Sequence, residues 1–279
     1  MNPSAAHIRL AAVFLASVIA VATLPGCPKN IPPPEGMIEE PSKLRSAVNA
    51  RLDSFESTRF KEVVLDYFGK RERMKVRQLI LVEAPDKVRV QTRLPGSNEI
   101  VSLLVTDGDT FAMHRRDTNE YLTGEPTPAN INRILPVDLS ARDVVRVMFG
   151  GAPWDRFDAE PGDPQISWDR RTGRYVYSVA TAEGGTLAMQ VRPSDYAVAS
   201  VTEFGPEGDE VYTYETDNWR RYGDRLLPTW RRFVWPARDL DFSVDVGKTE
   251  VDISLPNHLF RLEPPPGSTI MRLKEGSSP

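Results

Sequence analysis

The chain of 279 residues has one cysteine, Cys27, and three histidines, His7, His114 and His258. A lone cysteine excludes an internal disulfide. Histidines so far apart, with no partner at triad or zinc spacing, supply neither a catalytic triad nor a zinc site; His114 reads as an ordinary strand residue. No charge of one sign dominates, since 35 Lys and Arg stand against 39 Asp and Glu. The arginines are scattered between acids rather than gathered on a stripe, which disfavours nucleic-acid binding. No apolar run reaches the about 20 residues of a membrane-spanning helix. The acids of Asp107-Gly108-Asp109 and Asp239–Asp241 lack the EF-hand pattern and read as turn residues. Gly150-Gly151 reads as a helix stop, not a phosphate cradle. No metal, no catalytic set and no enzymatic activity are therefore expected.

What is present begins with Arg9 and an apolar run from Leu10 to Leu24, ending in Leu24-Pro25-Gly26-Cys27. A basic start, a short apolar stretch and a small residue at a processing point make a secretory signal over residues 1–26. Leu-x-Gly-Cys resembles the lipobox of bacterial lipoproteins, with Pro25 where that family usually has a small or β-branched residue. The resemblance implies cleavage before Cys27, a diacylglyceryl group on its thiol and an N-acyl chain on the new amine. Two or more chains give stable anchoring. A plain secretion signal with an incidental cysteine is the other reading, although a free thiol in an oxidising compartment is a liability. Pro28 rather than Asp follows the cysteine, which by the same resemblance implies the outer membrane, facing the periplasm. Residues 27–41 then form the lipidated cysteine and a tether, where Pro32-Pro33-Pro34 favours extended polyproline II.

The remaining roughly 240 residues carry no repeat and no linker, so one domain over 42–267 is expected, with a tail over 268–279. Ser42 is a candidate N-cap, and Leu44, Val48, Leu52 and Phe55 recur at helical spacing. The period then switches. Met74, Val76, Ile80 and Val82 alternate with polar residues, as do Val88, Val90 and Thr92, with Pro85-Asp86 at the turn between the two runs. Ile100–Thr106 is apolar on both sides, so both its faces should be covered. Asp107-Gly108 signals a hairpin into Thr110–His114. A helical insert follows, with one helix from Pro128 to Leu135 and another capped by Ser140. In the second, Val144, Val147 and Met148 share a face. Strands return from Ile166: Tyr175–Tyr177, Leu187–Val191, Ala197–Phe204, Val211–Tyr214, Leu226–Trp235, Phe242–Val246 and Val251–Leu255. The expected fold class is mainly β: a single curved antiparallel sheet forming an unclosed barrel, with the N-terminal helix and the insert on its concave face. A two-sheet sandwich is the alternative.

This order of elements resembles the LolA/LolB-like superfamily of half-barrels. The stretch from Asp86 to Pro153 carries most of the resemblance, including Ile134 to Pro153 with Phe149, Gly150 and Gly151, and Leu227-Pro228 with Phe260–Gly267 adds to it. The resemblance implies an apolar cavity for acyl chains, and membrane lipid, acylated lipoprotein cargo or a periplasmic carrier as partners of a monomer. Val88, Val90, Leu104, Phe111, Leu139, Val144 and Met148 are the expected lining. The resemblance further implies a membrane-touching role for Leu94, in the turn Arg93–Ser97. Two functions are expected to compete: acyl-chain handling for transport or insertion at the outer membrane, and a structural or assembly lipoprotein with a solid core and a protein partner. An enzyme acting on envelope polymers is a third, disfavoured by the lack of clustered carboxylates.

Overall fold

The structure, a computed structural model, describes residues 30–69, 73–94, 96–97, 99–132, 137 and 139–273. Cys27, Pro95 and Leu135 lie outside them. Among the described residues, fourteen strands form one sheet. They are β1 (Ser57–Phe68), β2 (Arg73–Glu83), β3 (Lys87–Arg93), β4 (Ile100–Thr106), β5 (Phe111–Arg115), β6 (Glu120–Gly124), β7 (Gln165–Asp169), β8 (Arg174–Ala180), β9 (Thr186–Val191), β10 (Val198–Phe204), β11 (Glu210–Tyr222), β12 (Arg225–Trp235), β13 (Leu240–Val251) and β14 (Thr269–Leu273). Helix α1 (Pro41–Leu52) precedes the sheet, and α2 (Pro128–Asn132), α3 (Ala141–Met148) and α4 (Trp154–Asp158) lie between β6 and β7. The spatial order is β14-β6-β5-β4-β3-β2-β1-β13-β12-β11-β10-β9-β8-β7, so the two outer strands never meet and the barrel stays open. Closure of the middle comes from β1 pairing with β13, which joins the N-terminal meander to the C-terminal one. The two-sheet alternative does not occur.

One apolar cluster runs along the inner face from Leu104 on β4, through Phe60, Phe242 and Phe233, to Tyr177 on β8, and includes Leu44 and Val48 of α1 and Val145 and Val147 of α3. The strands present alternate side chains inward, as the period of two requires. The N-terminal helix begins two residues earlier than expected. Its N-cap is Glu40, without a side-chain cap bond, and Pro41 takes the first turn where no N–H is needed. Ser42 is thus inside the helix. Phe55 lies beyond the helix and stacks on Phe149 with ring centroids 5.0 Å apart. In α3 the expected cap is in place: the Ser140 hydroxyl accepts from the backbone N–H of Asp143 at 3.1 Å.

Strand β1 has no counterpart in the sequence reading. Its alternation breaks at a bulge between Phe60 and Val63, where Glu62 adopts φ 54°. Phe60 and Val63 both point inward although three residues apart, which hides the period. Strand β6 and the five-residue α4 also went unread. Val251–Leu255 is not a strand of its own: β13 runs unbroken from Leu240 to Val251, and the chain then leaves the sheet. The expected tail contains β14, which pairs with β6 in parallel, so one edge pair departs from the antiparallel rule.

The outer face of β2–β6 is covered by the chain that follows β13. Leu255 and Phe260 pack on Leu79 and Leu81. Leu262 packs against Leu103, Val105 and Tyr121, and its carbonyl accepts from the Tyr121 hydroxyl at 2.6 Å. Both faces of β4 are therefore covered along its second half, Leu104 to Thr106 being buried and Ile100 to Leu103 half-buried.

The expected tether is partly docked. The N–H of Ile31 donates to the carbonyl of Arg170 at 2.8 Å, and the indole of Trp168 donates to the carbonyl of Ile31 at 2.9 Å. The N–H of Ile38 donates to the Tyr175 hydroxyl at 3.3 Å, and Met37 and Ile38 pack on the main core.

Candidate ligand-binding site

Between the sheet and α3 lies an apolar cavity of about 80 Å³. Strands β1, β2 and β3 contribute Leu65, Gln78, Ile80, Val88 and Val90; β12 and β13 contribute Arg231, Phe233, Phe242 and Val244. The roof is Val137, Leu139, Val144, Val147 and Met148. A smaller void of about 10 Å³ adjoins it, lined by Val88, Leu104, Thr106, Phe111, Ile131, Ala141 and Val144. Of the residues singled out from the sequence, Val88, Val90, Leu139, Val144 and Met148 border the larger space, and Leu104 and Phe111 border the smaller. Val88 and Val144 touch both.

Helical spacing explains the roof. Val144, Val147 and Met148 fall on one side of α3, and Ser140 at the start and Gly150 at the end fix its length. The C-terminal carbonyls of α3 are held from below by side chains. Arg231 Nη2 donates to the carbonyl of Met148, the Tyr214 hydroxyl donates to that of Val147 at 3.2 Å, and Arg51 Nη1 donates to that of Phe149 at 2.7 Å. Basic groups at a helix C-terminus also suit its dipole.

The N-terminal half of α3 is held by a buried carboxylate. Asp143 accepts from Arg146 Nη1 at 2.8 Å and from the backbone N–H groups of Asp155 at 3.3 Å and Arg156 at 3.1 Å. Ser140 Oγ donates to Asp155 Oδ2 at 2.6 Å. Burial pushes the Asp143 carboxyl up to about 6 against the pull of Arg146.

Arg231 is the residue that the sequence reading missed. It is 1% exposed, and burial lowers its pKa from the ordinary arginine value. Its parity with Leu227, Phe233 and Trp235 on β12 is the signal that places it inward.

Leu94 is 49% exposed at the end of β3. Phe68 and Met74, at the tip of the β1–β2 hairpin, are exposed at the same end of the sheet. The docking point of Ile31, beside the β7–β8 turn, lies at the opposite end of the strands. His114 sits on β5 with its ring nitrogen 3.2 Å from Asn119 Oδ1. Among the described residues no group of three or more His, Cys, Asp or Glu is placed to hold a metal ion, and no helix is long and apolar enough to cross a membrane.

No family model matches the chain, and no curated protein matches it by sequence. Solved structures do match in fold. A LolA superfamily protein from Nitrosomonas europaea superposes with a TM-score of 0.55 at 11% identity, covering 81% of this chain and 98% of that one. A putative outer membrane lipoprotein-sorting protein domain from Vibrio parahaemolyticus gives 0.58 at 8% identity, covering 79% and 97%. A DUF1329 family protein from Desulfovibrio piger gives 0.57 at 11% identity, covering 80% and 98%. The chain therefore has the open-barrel fold shared by LolA-superfamily and DUF1329-family proteins. At these identities the similarity is one of fold.

Proposed function

We propose that this protein is a lipid-anchored lipoprotein of the bacterial outer membrane, facing the periplasm, that shelters an acyl chain of a lipid or lipoprotein between its sheet and α3. The observation that carries the reading is the cavity itself: its walls are almost wholly apolar, and its roof is one short helix held by a few side chains. An acyl chain entering it exchanges one apolar setting for another, so no catalysis is needed. The fold shared with a putative lipoprotein-sorting domain supports the same direction. At about 80 Å³ the space falls below the roughly 300–1,000 Å³ of ordinary ligand pockets. Binding a long chain therefore requires α3 to lift. Cys27 supplies the anchor in this reading, as the diacylglyceryl and N-acyl acceptor.

The small volume also favours a second reading, a structural or assembly lipoprotein with a filled interior and a protein partner. Native mass spectrometry of the purified protein separates the two. A co-purifying lipid, displaced by added fatty acid, supports the cavity reading. A lipid-free protein that binds no hydrophobic dye supports the filled interior. Cys27→Ala is expected to release the protein from membranes, and unchanged membrane retention overturns the anchor.

A further inference from the structure

The interior holds one charge that the apolar reading does not explain. Arg231 borders the cavity and is 1% exposed. Nη2 donates to the carbonyl of Met148, while Nε and Nη1 have no hydrogen-bond partner. The groups that act on its charge are the phenols of Tyr214 and Tyr222, not a carboxylate. The Phe60 ring lies 5.6 Å from the guanidinium carbon. A buried cation without an anion is costly, and leaving its donors unpaired adds to the cost. A hydrophobic residue of similar length would fill the same place without either cost. Arg231 is among the residues lining the space, whose other lining is Val, Leu, Ile, Phe and Met, apart from Gln78, whose side-chain amide already donates to Thr92 Oγ1 at 3.3 Å.

We propose that Arg231 is the head-group subsite of this cavity and that the ligand is a fatty acid bound through its carboxylate, with the chain lying along Val90, Leu139, Val144 and Phe242. The proposal rests on the acyl-chain reading and narrows it. Because Arg231 is enclosed, the ligand's polar end must travel inward. A free carboxylate on a single chain can do that. The acyl chain of a phospholipid or a lipoprotein enters methyl end first and leaves its bulky head outside, out of reach of Arg231. The carboxylate accepts charge-assisted hydrogen bonds from the free N–H groups, and the bond from Nη2 to Met148 then couples the filled subsite to the end of the roof helix.

The test uses the full chain carrying Cys27→Ala, so that its own acyl groups stay out of the measurement. Dodecanoic acid, dodecanol and methyl dodecanoate are titrated at a pH where the acid is ionised, by calorimetry or by dye displacement. The acid is expected to bind at least roughly tenfold more tightly than the alcohol or the ester, the size of one hydrogen bond to a charged group. Arg231→Met is expected to abolish that preference while the alcohol still binds, and Arg231→Lys to keep part of it. Equal affinity for acid, alcohol and ester overturns the subsite but leaves the acyl cavity standing. Preference for the acid that survives Arg231→Met also overturns it. Binding of none of the three removes the cavity reading and the subsite together. The comparison of acid with alcohol needs no variant at Arg231, so a variant that fails to fold does not blunt it.

Discussion

Arg51 on α1 donates through Nη1 to the carbonyl of Phe149 at 2.7 Å, joining the N-terminal helix to the end of the roof helix across 98 residues of chain. Its Nη2 donates to the carbonyl of Leu226 on β12, and its guanidinium lies 5.3 Å from the centre of the Trp219 ring. Burial lowers its pKa to about 10, which still leaves it charged at neutral pH. One side chain therefore ties α1, α3 and the sheet together. Arg51→Met keeps much of the stem packing and removes both bonds. It is expected to cost about 3–6 kcal/mol, since each of the two hydrogen bonds from a charged donor contributes about 1.5–3 kcal/mol. Urea midpoints of the two proteins check this, and a loss below about 0.5 kcal/mol would show that the carbonyls find other donors.

Asp143 sets a pH dependence. Its folded value, about 6, lies above the ordinary 3.8. The native state holds this proton more tightly than the unfolded chain, so the contribution of Asp143 is complete below the ordinary value and is lost as pH rises through about 6. The loss is on the order of 3 kcal/mol at neutral pH. Arg146, Asp155 and Ser140 surround the group and share in the titration. Asp143→Asn is expected to match or exceed the native stability near neutrality and to flatten the fall between acid and neutral pH. Unfolding curves at about pH 4.5 and about pH 7.5 decide it; a native protein that gains on the variant as pH rises contradicts the sign.

Gly150 ends α3 at φ +75°, and a Cβ there would lie 2.7 Å from Cη2 of Trp219. Gly150→Ala meets both a left-handed backbone and an aromatic wall. The expected cost is about 1–3 kcal/mol, read as a lowered thermal midpoint. A neutral outcome would mean that Trp219 moves aside freely.

Val144 borders both internal spaces. Val144→Phe puts a ring into them, at an overpacking cost of no more than about 1–3 kcal/mol. The variant is expected to stay folded and to co-purify with less lipid than the native protein. Native mass spectra showing an equal lipid load would place the ligand elsewhere.

The parts of this fold that follow simple periods were legible in the sequence. Ser140 and Gly150 bracket α3 by cap and stop chemistry that depends only on neighbours in the chain. The two apolar sides of β4 announced two covered faces, although not that Leu262 and its neighbours would cover the outer one. Features that depend on partners far away were not legible. The bulge at Glu62 serves the match of β1 to β2 and breaks the alternation a reader relies on. Strand β14 exists through its parallel pairing with β6, a contact between segments about 150 residues apart. Cavity walls were foreseeable from hydrophobicity, whereas Arg231 required knowing that β12 turns that side inward.

In the proposed lipid-anchored form, the docking of Ile31 on Arg170 and Trp168 restricts how far the folded part can stand from its anchor. Three residues separate Ile31 from Cys27, a leash of four Cα-to-Cα steps and at most about 14 Å. With Cys27 acylated, the β7–β8 turn rests close to the lipid head groups. The 12 residues of β1 span roughly 40 Å, so Phe68, Met74 and Leu94 stand at the far end of the strands from this docked segment.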